Sequence, residues 1–196
     1  RRPDSAEALL RWHSSEYGMV PPSTFVPILE ETGLIETVGL WALGQAARDS
    51  LETAATMTAD FRFAVNVSVL QLLQPGFADS VAATFGPFAG SAQLDIEITE
   101  SLLMRDVEDA IAKLRRLRAM GFKIAIDDFG TGYSSMAYLA RLPVDYLKID
   151  RSFVVALPDN PEGIAVVTAI ISLAHSLRLG LIAAGVEPAS SEENTS

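Results

Sequence analysis

From Phe61 onward the chain alternates short β-rich runs with helical patterns at a nearly regular interval, the signature of a parallel sheet covered by helices. The runs are Phe61–Val67, Leu94–Ile98, Lys123–Asp127, Tyr146–Ile149 and Leu179–Ala183, and their starts fall 33, 29, 23 and 33 residues apart. Each interval accommodates a right-handed crossover through one helix. The clearest helix is expected from Val107 to Met120, where Val107, Ile111, Leu114 and Leu117 form an apolar stripe, Asp106 is the expected N-cap and Gly121 the stop. A second, from about Glu162 to Leu177, is entered through Asp159-Asn160-Pro161 and is apolar almost all round, so it should be largely covered. Pro22–Glu31 and Leu34–Leu51 read as helices split by Gly33, and Ala6–Trp12 as a further strand. Six strands in series fit either an open doubly wound sheet or a (βα)₈ barrel.

Composition narrows the chemistry. Fifteen Lys and Arg against 25 Asp and Glu give a net charge of −10, which excludes binding to a DNA or RNA duplex by general charge. With 49% hydrophobic and 20% charged residues among 196, one globular core is expected. The absence of Cys removes disulfides, thiolate zinc sites and a Cys nucleophile, and two His leave little room for His-rich metal chemistry. The longest apolar stretch, Gly163 to Ala174, is too short to span a bilayer, and no apolar segment follows Arg1-Arg2-Pro3-Asp4-Ser5, so neither membrane insertion nor a signal peptide is expected. Residues 188–196 are polar and read as a loose tail after one domain over 1–187.

In both parallel architectures the ligand site forms at the carboxyl ends of the strands. Those positions hold Asn66, Glu97, Asp127 with Asp128, and Lys148 with Asp150, while Glu7 opens the first apolar run. Carboxylates converging on one rim repel one another unless cations stand between them, and oxygen ligands without Cys or His favour a hard ion, Mg²⁺, Mn²⁺ or Ca²⁺. Adjacent Asp127 and Asp128 suit a carboxylate shared by two ions, and Lys148 adds a cation or proton-transfer group. Taken singly, each has a plainer structural reading: a carboxylate as helix cap, Asn66 as a buried amide, Gly130 and Gly132 as a turn. Arg115, Arg116 and Arg118 read as a solvated face, His13 as a polar surface residue, His175 as a helix side chain, and Trp12 and Trp41 as core or groove aromatics. A Mg²⁺-dependent barrel lyase with Lys148 as base also fits a barrel, without specific support in the residues.

Seven blocks then carry a resemblance: Glu7-Ala8-Leu9-Leu10-Arg11-Trp12, Phe25 to Ile35, Asn66 to Leu72, Glu97 to Ser101, Asp127 to Ser135, Leu142 to Val154 and Ala183 to Glu187. In content and order they resemble the bacterial EAL-domain cyclic di-GMP phosphodiesterases. The resemblance implies a modified TIM (βα)₈-type barrel, here expected without the family's first and last strands, that hydrolyses one phosphodiester bond of cyclic di-GMP. It implies one metal at Glu7, Asn66, Glu97 and Asp127, and a second shared by Asp127 and neighboured by Asp128. Lys148 and Asp150 match positions holding the attacking water and the second metal site, Arg11 a residue facing the nucleotide, and Glu100 the anchor of the Asp128–Ser135 loop near the family's dimer interface. Mg²⁺ or Mn²⁺ is the implied cofactor, with Ca²⁺ expected to bind and inhibit. A homodimer, attached sensor or GGDEF domains and a cytoplasmic setting are implied as well. Where the family has Glu in an A-E-G-V-E block this chain has Ala184, leaving Glu187 as a neighbouring carboxylate. The alternative is therefore a receptor that binds cyclic di-GMP without cutting it.

Overall fold

In a computed structural model the described residues are 5–183 apart from 55, 58–60, 89, 105–106, 133–135, 156 and 158–159. Asp106, Ala184, Glu187 and the 188–196 tail lie outside them. Chain order runs β1 (Ser5–Ala8), β2 (Trp12–Ser14), β3 (Gly18–Val20), α1 (Pro22–Glu31), α2 (Ile35–Ala54), β4 (Arg62–Asn66), α3 (Val69–Leu73), α4 (Phe77–Phe85) and β5 (Leu94–Thr99). It continues through α5 (Val107–Ala119), β6 (Lys123–Phe129), α6 (Met136–Leu139), β7 (Tyr146–Ile149), α7 (Arg151–Val155), α8 (Pro161–Leu177) and β8 (Gly180–Ala183).

Six parallel strands form one sheet in the order β1-β4-β5-β6-β7-β8. The order follows the sequence without reversal, whereas a doubly wound sheet turns back at a switch point. The sheet is therefore a curled part of a (βα)₈-type barrel. The opening segment is divided: only Ser5–Ala8 joins the sheet, and Trp12 begins a small antiparallel hairpin with Gly18–Val20 that the sequence pattern did not reveal.

Period-two alternation sorts the strand residues. Leu94, Ile96 and Ile98 of β5, Ile124 and Ile126 of β6 and Leu147 of β7 are fully buried in one apolar core beneath the helices. Their neighbours on the opposite face are polar: Arg62 and Asn66, Asp95 and Glu97, Lys123 and Asp127, Tyr146 and Lys148. Lower on that face Arg62 pairs with Asp95 and donates to Gln93 Oε1 (3.0 Å), and Lys123 donates to the Tyr146 hydroxyl (2.8 Å). Burying each large aliphatic on the helix side contributes about 1.5–3 kcal/mol, so this face sets the register.

Helix ends follow their caps. Gly121, at φ +100°, stops α5 as expected, with its N–H donating to Arg118 O and that of Phe122 to Leu117 O. Asn160 Oδ1 accepts from the N–H groups of Glu162 and Gly163 at the start of α8. Two expectations fail. Only Gly163, Ile170 and Ala174 of α8 are buried, while Ile164 and Ile171 face solvent, because one sheet face covers one side of the helix and no described element covers the other. Trp41 is likewise exposed on the outer side of α2, not in a core, while Trp12 packs edge-on against Phe25 at the hairpin.

Candidate functional site

The carboxyl ends of adjacent strands bring the acidic residues to one mouth. Register places Asn66 beside Glu97 and Thr99 beside Asp127, while Glu7, paired with Ala64, stands two pairs below Asn66 on the neighbouring strand and so on the same face. Glu97 and Lys148 are buried, and Lys148 Nζ donates to Glu97 Oε2 at 2.6 Å and lies 3.2 Å from Asp127 Oδ2. At the more exposed edge Asn66 Nδ2 donates to Glu7 Oε1 at 2.5 Å. The amide is neither buried nor bonded to backbone, which removes the plainer reading of Asn66.

Asp128 reaches the same mouth through an irregularity. Strict alternation would send it to the face opposite Asp127, but the β6–β7 register shifts between Ile126 and Phe129, and Asp128 adopts φ +53°, a left-handed conformation uncommon outside glycine. Its N–H donates to Asp127 Oδ1 (3.0 Å). Desolvation, Asp127 and Asp150 all push its carboxyl above the usual range. Asp150 is held below that range by Ser152, whose N–H donates to Oδ1 at 2.9 Å and whose hydroxyl donates to the same atom.

Charge at this mouth is unbalanced. Burial pushes the Glu97 carboxyl up to about 7, against the opposing pull of Lys148, with Asp127 and Glu7 adding repulsion. Burial also works to lower the Lys148 pKa, but the hydrogen bond to Glu97 and the charges of Glu97, Asp127 and Glu7 outweigh it and hold the ammonium protonated. Among the described residues no three Asp, Glu or His side chains stand arranged around a metal position; the ammonium of Lys148 lies between Glu97 and Asp127 instead. The donor set nevertheless fits a hard cation: all its ligand atoms are oxygens, and a carboxyl raised to about 7 marks a place short of positive charge.

Glu100 stands apart from this cluster and is buried. Its Oε2 accepts from the N–H groups of Gly130 (2.9 Å) and Gly132 (3.2 Å), tying down the turn after β6. A Cβ at Gly132 would lie 3.1 Å from Glu100 Oε1, a tight approach that Glu100 would have to yield to. Gly130 sits at φ +104°. Arg11, in the loop after β1, is exposed and donates to the neighbouring carbonyl of Leu10, away from the carboxylates. Arg116 and Arg118 are exposed as expected but pair with Asp79 and Asp145.

Beside Asn66 opens a cavity of about 560 Å³ bounded by the loop after β1, by α1 and α2, and by the turn from β4 into α3. The sequence reading overlooked it, because its walls come from five separate segments, the end of β5 and the turn after it, at Thr99 and Ser101, included. It also overlooked the polar pairs Arg62–Asp95 and Lys123–Tyr146, although charged residues at alternate strand positions were a signal for them.

A family model for the EAL domain matches residues 1–193. In Pseudomonas aeruginosa, MucR, a bifunctional diguanylate cyclase/cyclic di-GMP phosphodiesterase, is 43% identical over 188 residues, 95% of this chain and 27% of its own length. The cyclic di-GMP phosphodiesterase NbdA of the same organism is 39% identical, over 92% of this chain and 23% of its own. The chain thus spans about a quarter of the curated relatives it matches. A solved MucR phosphodiesterase in complex with c-di-GMP superposes with a TM-score of 0.85 at 43% identity, covering 93% of this chain and 74% of that one.

Proposed function

The chain belongs to the EAL domain family, and on that premise we propose that it hydrolyses one phosphodiester bond of cyclic di-GMP to the linear dinucleotide. The observation that carries this reading is the oxygen-rich mouth, where Glu97 and Asp127 flank one ammonium with Glu7 and Asn66 beside them. A divalent cation, Mg²⁺ or Mn²⁺, held by Glu7, Asn66, Glu97 and Asp127 with Asp128 at a second position, would neutralise and polarise the phosphate and acidify water. Ca²⁺ binds oxygen ligands with looser geometry, so it is expected to occupy the site and inhibit.

The chain's own groups have distinct tasks. Lys148 keeps a proton at Nζ between two carboxylates and orients the attacking water, and Asp150, held ionised by Ser152, faces the same volume and accepts the water's proton. Arg11, free of carboxylates, offers its planar guanidinium to a phosphate. The water oxygen joins phosphorus as one P–O ester bond breaks, and the leaving oxygen takes up a proton. Glu100 fixes the turn from Asp128 to Gly132, and we propose that a homodimer forms through this region. No helix among the described residues is long and apolar enough to cross a membrane. A cytoplasmic setting, with sensor or GGDEF domains outside this segment, suits an intracellular dinucleotide.

A second reading has one observation behind it: Ala184 replaces a family carboxylate, as in a receptor that binds without cutting. Incubation with cyclic di-GMP and Mn²⁺ distinguishes them: linear dinucleotide supports the enzyme, while heat of binding in Ca²⁺ with no product in Mn²⁺ supports the receptor. Neither product nor binding would overturn both. Ala184→Glu is expected to raise turnover.

A further inference from the structure

Glu30 stands where helix energetics disfavour it. It lies in the last turn of α1 beside Glu31, with no basic residue in that turn, so its charge adds to the negative end of the helix. Its Oε1 accepts from the hydroxyl of Ser68, 38 residues further along the chain, and among the described residues no other donor reaches this carboxylate. Ser68 in turn caps α3 by accepting from Leu70 N (3.3 Å), and α3, at five residues, is too short to hold itself as a helix. The turn that leaves β4 is therefore gripped at Ser68 from two sides. Just before it, the N–H of Val67 makes a last bond to β5, at Glu97 O (2.8 Å), and Asn66 commits Nδ2 to Glu7 Oε1 (2.5 Å), which leaves Oδ1 as the one acceptor of its side chain.

We propose that Glu30 and Ser68 are positioning residues for the acidic mouth: their hydrogen bond ties α1 to the β4–α3 turn and so holds Asn66 in place while its Oδ1 remains available to a divalent cation. The inference rests on the mouth holding such a cation. Asn66 is exposed and ends its strand, so packing does little to fix its amide, and a loose turn would have to be ordered at the moment of binding. Neither Glu30 nor Ser68 touches the reacting atoms. Both act through the backbone of the residues between Ser68 and Asn66, as the partners that orient a metal ligand do elsewhere. Attraction of the cation by the charge of Glu30 alone is a different mechanism, and it would need the carboxylate but not the hydrogen bond.

The test is calorimetric titration of Mn²⁺ into the dinucleotide-free chain, for wild type, Glu30→Ala, Ser68→Ala, the double variant, and the conservative variants Glu30→Gln and Ser68→Thr. Glu30→Ala leaves Ser68 free to cap α3, so it separates the tie to α1 from the cap. Each alanine variant should weaken Mn²⁺ binding by about tenfold, the lower end of what losing an orienting partner costs, and the double variant should fall no further than Ser68→Ala, because both changes remove one contact. Glu30→Gln keeps an accepting oxygen and Ser68→Thr keeps the hydroxyl, so both should stay within about twofold of wild type. If Glu30→Gln falls as far as Glu30→Ala, the carboxylate works by its charge and the proposal is overturned. Alanine variants that unfold at lower temperature yet bind Mn²⁺ as wild type does would show that the pair only holds the turn, which overturns it equally. Both outcomes leave the phosphodiesterase reading intact. A wild type that takes up no Mn²⁺ and makes no linear dinucleotide would sink that reading together with this one.

Discussion

The ammonium of Lys148 lies 2.6 Å from Glu97 Oε2 and 3.2 Å from Asp127 Oδ2, so one cation joins the carboxyl ends of three adjacent strands. Both ends of the Glu97 pair are buried, which makes the pair costly to break from one side only. Lys148→Met leaves two carboxylates facing each other and is expected to destabilise the metal-free chain by about 3–5 kcal/mol. Urea unfolding measures this, and saturating Mn²⁺ should recover part of the loss. Equal midpoints for the two chains without metal would contradict it.

Metal affinity should depend on pH through Glu97. Its carboxyl in the metal-free chain titrates at about 7, above the usual carboxylate range, and a metal takes the ionised form. Below pH 7 binding must therefore expel a proton, so apparent affinity rises as pH climbs toward 7 and levels off above it. Calorimetry with Mn²⁺ in two buffers of different ionisation enthalpy should detect proton release at pH 6 that vanishes at pH 8. A proton count unchanged between these pH values would refute the assignment, and Glu97→Gln should abolish the pH 6 release.

Glu100→Ala removes the carboxylate that receives Gly130 N–H and Gly132 N–H. Hydrogen bonds to a charged group contribute about 1.5–3 kcal/mol each, so the turn should loosen while the strands stay closed. Amide exchange should quicken at Gly130 and Gly132 and remain slow at Ile96 and Ile124. Unchanged protection at both glycines would show that the turn is held by other means.

A Cβ added at Gly180 would meet Tyr146 Cδ1 at 2.4 Å, because the ring lies across β8 where that strand has no side chain. Gly180→Ala is expected to cost about 1–3 kcal/mol by overpacking. Tyr146→Ala should relieve the clash, so the double variant loses less than the two single losses added together. Strict additivity in thermal unfolding would remove steric contact as the cause.

Much of this fold is legible in the linear order. The β-rich runs at Leu94–Ile98, Lys123–Asp127 and Tyr146–Ile149 lie within or coincide with observed strands, and Pro22–Glu31 is a helix from end to end. Those signals are local: apolar periodicity, caps and stops act within a few residues of where they are written. The covering of α8 and Trp41 was misread because hydrophobicity states a demand for burial, and only neighbours from elsewhere in the chain can meet it.

The sequence by itself determined which oxygens stand at strand ends, since period two and crossover length dictate where each strand stops. Only the tertiary structure decided how they meet. The parallel register sets Asn66 against Glu97, the irregularity at Asp128 turns two consecutive carboxylates toward one mouth, and Lys148 settles between Glu97 and Asp127. The cavity lined by Glu30 likewise exists only once five separated segments close around it. Distances between groups tens of residues apart arise from sheet order and packing, and no local pattern encodes them.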